Sequence, residues 1–537
     1  MPARRGRGRR PARVAVALAA TTVVALGLVA CGTRLPNSSF VGAGSTQGNS
    51  GGVGAGPQAA GGTNGGGNGA AGGGTNGSSS AGSSGGGPGA ASAGSTSGGG
   101  GGGGSGSGGG GGSASGGGAG SGGGGGANGA SDVGVTASTI TIGNVTAING
   151  ALGPYAFGVT LPGLEAWVSG TNARGGINGR KIVLDTCDDS ADGQQNLSCA
   201  NKLVSQNHVF AFVANNTDAC ASSAHYEYTQ SVPDVGFPLC NGYYMYPNMF
   251  SIYGTGYPRK GSLPANNEQQ AQVYKWFKDN RHVSKGGFFF YIIPISQQQG
   301  YAEEQGANSV GISTAYEGGG NHEGENPANP TFDTDVINMR QDKVDVLFDA
   351  LDTAGNSKLC TAMDRQGFTV TAKVSTVEVY GQAVGNWSSP CRNSVYSVDQ
   401  SAAYSDTSNP VVAQFRKDFS TYQPNAQMHQ WALDGYSLGM LFGDAIKSMG
   451  ANVTRAGFLK WMNTWPQPQS GGTGYTFDGL LGHSGVAWTA ENYSAPSPVC
   501  DSFAQWNDSA NSFVQVAGPD TCFTLPWLST PFSPDGS

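Results

Sequence analysis

Histidine is scarce in this chain, and the six it has are scattered. His208, His225, His282, His322, His429 and His483 form no H-x-x-x-H pair, and no C-x-x-C is present. The recurrent zinc spacings are therefore missing, and no metal or cofactor is expected. Basic charge is also short. Against 35 acidic side chains there are 28 lysines and arginines, a net charge of −7, which is the wrong sign for a nucleic-acid partner. Phosphate and calcium loops are absent as well, although GGINGRKIVLDTCDDSADG at 175–193 invites both readings. A Walker A loop needs a second glycine where Arg180 or Lys181 stands. In an EF-hand register beginning at Asp188, the bidentate glutamate is replaced by Cys199. There is no G-x-S-x-G elbow, and the carboxylates of Glu317–Glu325 read as a solvated loop. A cell-wall enzyme would need a nucleophile–base pair or converging metal ligands. The sequence displays neither, so the expectation is a protein that is not an enzyme.

Bulky side chains are what the stretch from Gly42 to Ala130 lacks. It is nearly all Gly and Ser, with Ala, Asn and Thr, and cannot build a core. Without a Gly-X-Y period it is not collagen-like. Residues 32–131 read as a disordered tether with an r.m.s. span of roughly 50 Å.

What precedes the tether is a basic start, MPARRGRGRR, then an apolar run ending Leu28-Val29-Ala30-Cys31. That is the order of a signal peptide, 1–31, and the run is brief for a membrane span. LVAC resembles the bacterial lipobox. The resemblance implies lipidation of Cys31 and anchoring to the outer face of the cell membrane, where two acyl signals hold stably.

The folded part begins near Val133, and its length suggests two lobes. Eight cysteines remain after Cys31: Cys187, Cys199, Cys220, Cys240, Cys360, Cys391, Cys500 and Cys522. An even count in an exported chain suggests disulfides, and pairing in sequence order is the expectation. Strand-like segments (TITIGNV, KIVLDT, HVFAFVAN) alternate with helical ones (157–168, broken at Pro162-Gly163; 194–206; 220–230). The alternation restarts with 270–280, GGFFFYII, a Gln-rich helix, VGISTAYE, 331–341, VDVLFDA, 356–366 and AKVSTVEV. Such alternation predicts an α/β fold with parallel sheets flanked by helices. Helices follow at 411–422 and 431–450 and, capped by Thr454, at TRAGFLKWM; the last segment, with Cys500 and Cys522, reads as loop-rich. Within 175–193, Gly175-Gly176 should end a helix and Asn178-Gly179 make a turn. Arg180 and Lys181 should be solvated, and Asp188 and Asp189 should cap the next helix.

The segment GNVTAINGALGPYAFGVTLPGLEAWVSGTNARGGINGRKIVLDTCDDSADGQQNLSCANKLV resembles the start of the Leu/Ile/Val-binding family of bacterial solute-binding proteins. VPDVGFPLCN, VDVLFDALDTAGNSKLCTAMDRQGF and WALDGYSLGMLFGDAIKSMG follow in that family's order. The resemblance implies a two-lobed type 1 periplasmic-binding fold with the ligand cleft between lobes. By analogy lobe 1 comprises 132–258 and 385–470, and lobe 2 comprises 259–384 and 471–530. It further implies a monomeric receptor that hands a small solute to the permease subunits of an ABC importer. The alternative is a sensor of the same fold that presents its ligand to a signalling partner. Carried over by position, the ligand residues are Asn149, Asn216, Thr217 and Asn241 in the first lobe. In the second they are Gln299, Tyr301, Asp352 and Glu378. Gln299 and Asp352 replace common aromatic walls, which favours an amino-acid-like, amide-bearing or cationic solute over a branched aliphatic one.

Overall fold

The computed structural model describes residues 128–150, 156–318, 323–375, 381–468, 473–482 and 485–532. The leader with Cys31, almost all of the tether, and Glu378 lie outside the described residues.

Five parallel strands form a first sheet in the order β2-β1-β3-β4-β5. They are β1 (Thr139–Thr146), β2 (Lys181–Asp188), β3 (Ala211–Val213), β4 (Asp234–Gly236) and β5 (Met249–Ser251). The connecting helices are α1 (Leu161–Ala173), α2 (Gly193–Ser205), α3 (Ala221–Thr229) and the single turn α4 (Gly242–Met245). A short strand, β6 (Asn267–Gln269), and α5 (Gln272–Arg281) lead into a second sheet. There β7 (Lys285–Phe290), β8 (Ser313–Glu317), β9 (Val346–Ala350), β10 (Ala372–Ser375) and β11 (Val395–Asp399) run parallel in the order β8-β7-β9-β10-β11. Their helices are α6 (Pro294–Ser309), α7 (Asp333–Gln341), α8 (Thr353–Arg365) and the short α9 (Ser389–Arg392). Every residue of β9 is buried, as expected of a strand covered on both faces. The chain then returns to the first sheet as α10 (Pro410–Tyr422), α11 (Gln430–Met449) and α12 (Arg455–Met462). It ends on β12 (Ser497–Asn507), β13 (Ser512–Leu525) and β14 (Leu528–Thr530). The first two extend the second sheet antiparallel, and β14 pairs with β6.

Local chemistry explains most of these boundaries. Pro162 sits in the first turn of α1, preceded by a 3-10 turn at Phe157–Thr160, so the expected break falls where proline is tolerated. Gly175 and Gly176 take φ of 108° and 79° after α1. A Cβ on Gly176 would stand 2.0 Å from the Arg180 carbonyl. Asn178 and Gly179, at φ 49° and 79°, turn the chain into β2. Asn409 and Thr454 cap α10 and α12 by accepting backbone amides.

Several expectations need correction. Asp192, rather than Asp188 or Asp189, caps α2 by accepting the Gln195 amide. Arg180 is not solvated but fully buried. Its guanidinium donates to the carbonyls of Thr136 (2.9 Å), Ala451 (2.8 Å) and Gly129 (3.1 Å), tying the start of the domain to the chain beyond α11. Glu317 is buried rather than in a solvated loop. The last segment is a long hairpin instead of a loop. β13 is an edge strand on which exposed and part-buried positions alternate, with Val514 and Val516 among the exposed ones. β11 lies within 385–470 yet hydrogen-bonds into the second sheet. Conversely, Trp488 packs on Phe250 and donates to the Ser251 carbonyl at 2.8 Å, on the first-sheet side.

The four disulfides pair in sequence order: Cys187–Cys199, Cys220–Cys240, Cys360–Cys391 and Cys500–Cys522. They tie β2 to α2, the start of α3 to the loop after β4, α8 to α9, and β12 to β13.

Candidate functional site

In both sheets one strand is flanked by two whose connections leave in opposite directions: β1 between β2 and β3, and β7 between β8 and β9. At such switch points the loops from the carboxyl ends of the strands part and leave a crevice.

In the first sheet this point is braced by asparagines. Asn144 is fully buried and donates to the carbonyls of Val213 (3.0 Å) and Ala214 (2.7 Å). Asn215 accepts the Val145 amide at 2.7 Å and donates to Asp234 at 3.0 Å. Asn216 bridges back to Thr146, and its side-chain amide donates to the Phe157 carbonyl at 3.0 Å. Its Oδ1 is buried with no hydrogen-bond partner. Thr217 accepts the Ala219 amide through its hydroxyl at 3.1 Å and also bonds Asp189.

Three carboxyls gather around these loops. Asp188 accepts the amides of Ile148 (2.9 Å), Asn149 (3.3 Å) and Ser190 (2.9 Å), and the Asn149 side chain at 2.5 Å. Asp189 is fully buried and accepts from Asn196 and the Ala191 amide. Burial pushes its pKa up against those hydrogen bonds. Asp218 is pushed up to about 6, mainly by burial and secondarily by Asp189, and its Oδ1 has no partner. No salt bridge reaches any of the three among the described residues. Nearby, Phe237 packs against Trp431, with ring centroids 5.3 Å apart. The buried Trp431 indole N–H is unpartnered. These loops are therefore rich in acceptors and poor in cations.

In the second sheet Asp352 caps α8. Its Oδ1 accepts the Gly355 amide (2.8 Å) and the Tyr291 hydroxyl (2.8 Å), so the β7 and β9 loops are joined at their switch point. Burial, with Asp352 next in size, raises the Tyr291 pKa far above the usual range. Ser296 donates to the Ala350 carbonyl at 2.6 Å and accepts the Tyr291 amide at 2.8 Å.

The structure thus brings Asn149, Asn216 and Thr217 to one strand-end cluster. Asn241 is buried just before α4, its carbonyl accepting the amides of Tyr244 and Met245. Asp352 stands at the other switch point. Gln299 and Tyr301 differ from expectation because α6 already begins at Pro294. Gln299 lies on that helix and donates to Glu303 at 3.1 Å, while Tyr301 is exposed and sets its ring edge against Phe290. Sequence reading passed over Asp218, Tyr291, Phe237 and Trp431. Tyr291 directly follows β7 and Asp218 lies in the loop between β3 and α3, a position that was a signal for both. The approach of Phe237 to Trp431, far apart in the chain, had no local signal.

A family model described as periplasmic binding protein matches residues 139–492, and the chain belongs to that family. Its fold is the two-lobed type 1 periplasmic-binding architecture. Among curated proteins, Leu/Ile/Val-binding protein homolog 2 of Brucella abortus (strain 2308) is 40% identical over 72 residues, 13% of this chain and 19% of that protein. The match thus spans about a fifth of the relative's length. Among solved structures, a fatty acid ABC transporter substrate-binding protein from Thermomonospora curvata is similar at 15% identity and a TM-score of 0.53. That match covers 73% of this chain and 94% of that one. LivJ, the branched-chain amino acid transporter substrate-binding protein from Streptococcus pneumoniae solved with isoleucine, is similar at 14% identity and a TM-score of 0.52. It covers 70% of this chain and 100% of the other. Leucine binding protein LivK from Thermotoga maritima gives 13% identity and a TM-score of 0.51, covering 71% and 99%. At these identities the likeness carries the fold alone. Among the described residues no helix is long and apolar enough to cross a membrane.

Proposed function

We propose that this chain is an extracytoplasmic receptor that captures a small polar solute between its lobes and delivers it to an ABC importer, held to the membrane by a lipid on Cys31. The observation that carries the solute chemistry is the pair of buried, unpartnered acceptors, Asn216 Oδ1 and Asp218 Oδ1, beside Asp188 and Asp189 with no cation among them. Buried acceptors left without donors cost free energy, and a hydrogen-bond-donating solute would relieve it. An amino-acid-like, amide-bearing or cationic molecule has such donors; a purely aliphatic acid does not. Thr217, Asn149 and Asn241 are the further first-lobe contacts in this reading, and Asp352 and Glu378 the second-lobe ones. Substrate-binding proteins of this fold act by lobe closure, and micromolar affinity corresponds to about −8 kcal/mol.

The test is a thermal-shift screen of the full chain with amino acids, amides, polyamines and sugars. At least one donor-bearing solute is expected to raise the melting temperature, and Asp218→Asn together with Asn216→Ala should abolish that rise. A screen in which no small solute stabilises the protein defeats the receptor reading. Stabilisation that survives both substitutions defeats the site.

A further inference from the structure

The chain crosses between the two sheets three times: after β5, after β11 and before β12. The crossings meet at a small pocket lined by Tyr253 from the first, Asp399, Gln400 and Ser401 from the second, and Leu481 from the third, with Asp434 of α11 facing them. Ser401 is the hub. Its amide donates to Asp399 Oδ1 at 2.9 Å, and its hydroxyl accepts the Gln430 side chain of α11 at 2.8 Å. Its carbonyl accepts the Ser502 hydroxyl of β12, and it bridges to Leu481.

Asp399 ends a strand of the second sheet, whereas Asp434 belongs to a helix packed on the first. Their exposures are 8% and 2%, and the two carboxyls lie within hydrogen-bond reach of each other. The Oδ2 of each finds no donor elsewhere among the described residues. Two carboxylates cannot sit in contact in a dry site with both charges intact; one proton between them turns repulsion into a hydrogen bond. Among the described residues that line the pocket there is no Lys, Arg or His. Asp501 of β12 is buried, feels the Asp399 charge as a like charge, and is bonded by Gln272. Tyr253 and Ser437 line the pocket. His429, at the start of α11, spends its Nδ1 on the Trp431 amide. No salt bridge reaches Asp399, Asp434 or Asp501 among the described residues.

We propose that Asp399 and Asp434 share a single proton across the hinge, and that this proton latches the second crossover to α11 and so makes the grip between the lobes dependent on pH. Burial raises Asp399 to about 6, and burial with the Asp399 charge raises Asp434 well above the carboxylate range. The sign follows from raised folded-state values. The contribution is complete below the ordinary carboxylate pKa of about 4 and is lost as pH rises through about 6 and beyond. Asp501, raised to about 7 by burial, adds a loss of the same sign.

The experiment follows the full chain from pH 5 to pH 8 by thermal unfolding and by small-angle X-ray scattering, without solute. The wild type is expected to melt about 5 °C lower at pH 8 than at pH 5 and to show a larger radius of gyration. In Asp434→Asn an amide donates permanently to the Asp399 carboxylate. Its radius should stay constant over the range, and its melting point should vary less than that of the wild type, the remainder belonging to the other buried acids whose values are raised, Asp501, Asp218, Asp234 and Glu227. Asp399→Asn should behave alike and carries the comparison if the first variant does not fold. A wild-type radius that does not change with pH overturns the latch on its own, as does an equal slope in either folded variant.

Discussion

The second lobe contains a buried ion pair whose removal has a calculable consequence. Lys373 on β10 and Asp349 on β9 face each other at 2.7 Å, both fully buried. The ammonium also donates to Ser375 Oγ at 2.8 Å and to Asn356 Oδ1, and it stands 5.7 Å over the Trp387 ring. Lys373→Met keeps the aliphatic volume but strands a buried carboxylate. Among the described residues its remaining donor is the Ser375 hydroxyl at 2.8 Å, since Asp349 Oδ1 is already unpartnered. Breaking one side of a buried pair costs about 3–5 kcal/mol, whereas replacing both partners with apolar residues is often close to neutral. At roughly 2 °C per kcal/mol for a chain of this size, Lys373→Met should melt about 6–10 °C below wild type. Lys373→Met/Asp349→Leu should recover at least half of that loss. The assay is calorimetry or circular dichroism at pH 7, with urea unfolding as a second measure. A single variant within about 2 °C of wild type, or a double variant worse than the single, refutes the reasoning that an uncompensated charge dominates this site.

Arg180→Lys should destabilise nearly as much as Arg180→Ala, by about 2 kcal/mol in urea, because one ammonium cannot reach carbonyls on three separate segments. Asp192→Ala should cost about 1 kcal/mol by removing the α2 cap and leave solute stabilisation intact in the thermal-shift screen. Asp352→Ala should lower stability by a similar amount for the same reason, since it caps α8. Only a loss of solute response beyond that of Asp192→Ala would count for a binding role. Reduction of all four disulfides should lower the melting point by more than 10 °C, since closing loops of 12, 20, 31 and 22 residues stabilises by about 3 kcal/mol each.

The order of strands and helices was legible in the sequence because it depends on local rules. Side-chain periodicity, the proline in the first turn of α1, the paired glycines after it and the Asn409 and Thr454 caps all act over a few residues. Cysteine order likewise matched the bridges, each of which joins neighbouring elements. What only the tertiary structure decided depends on residues distant in the chain. Arg180 reads as a surface cation until Ala451, far along the sequence, supplies a carbonyl for it. β13 reads as loop because only Phe513 of its residues is buried and its strand character comes from pairing with β12. Gln299, a ligand residue by position in the family, lies on α6 and donates to Glu303 on the same helix. Asp399 and Asp434 look like ordinary acids on separate elements. Their contact arises because one ends a strand of one lobe while the other lies on a helix of the other, and burial turns that meeting into a shared proton rather than two solvated charges.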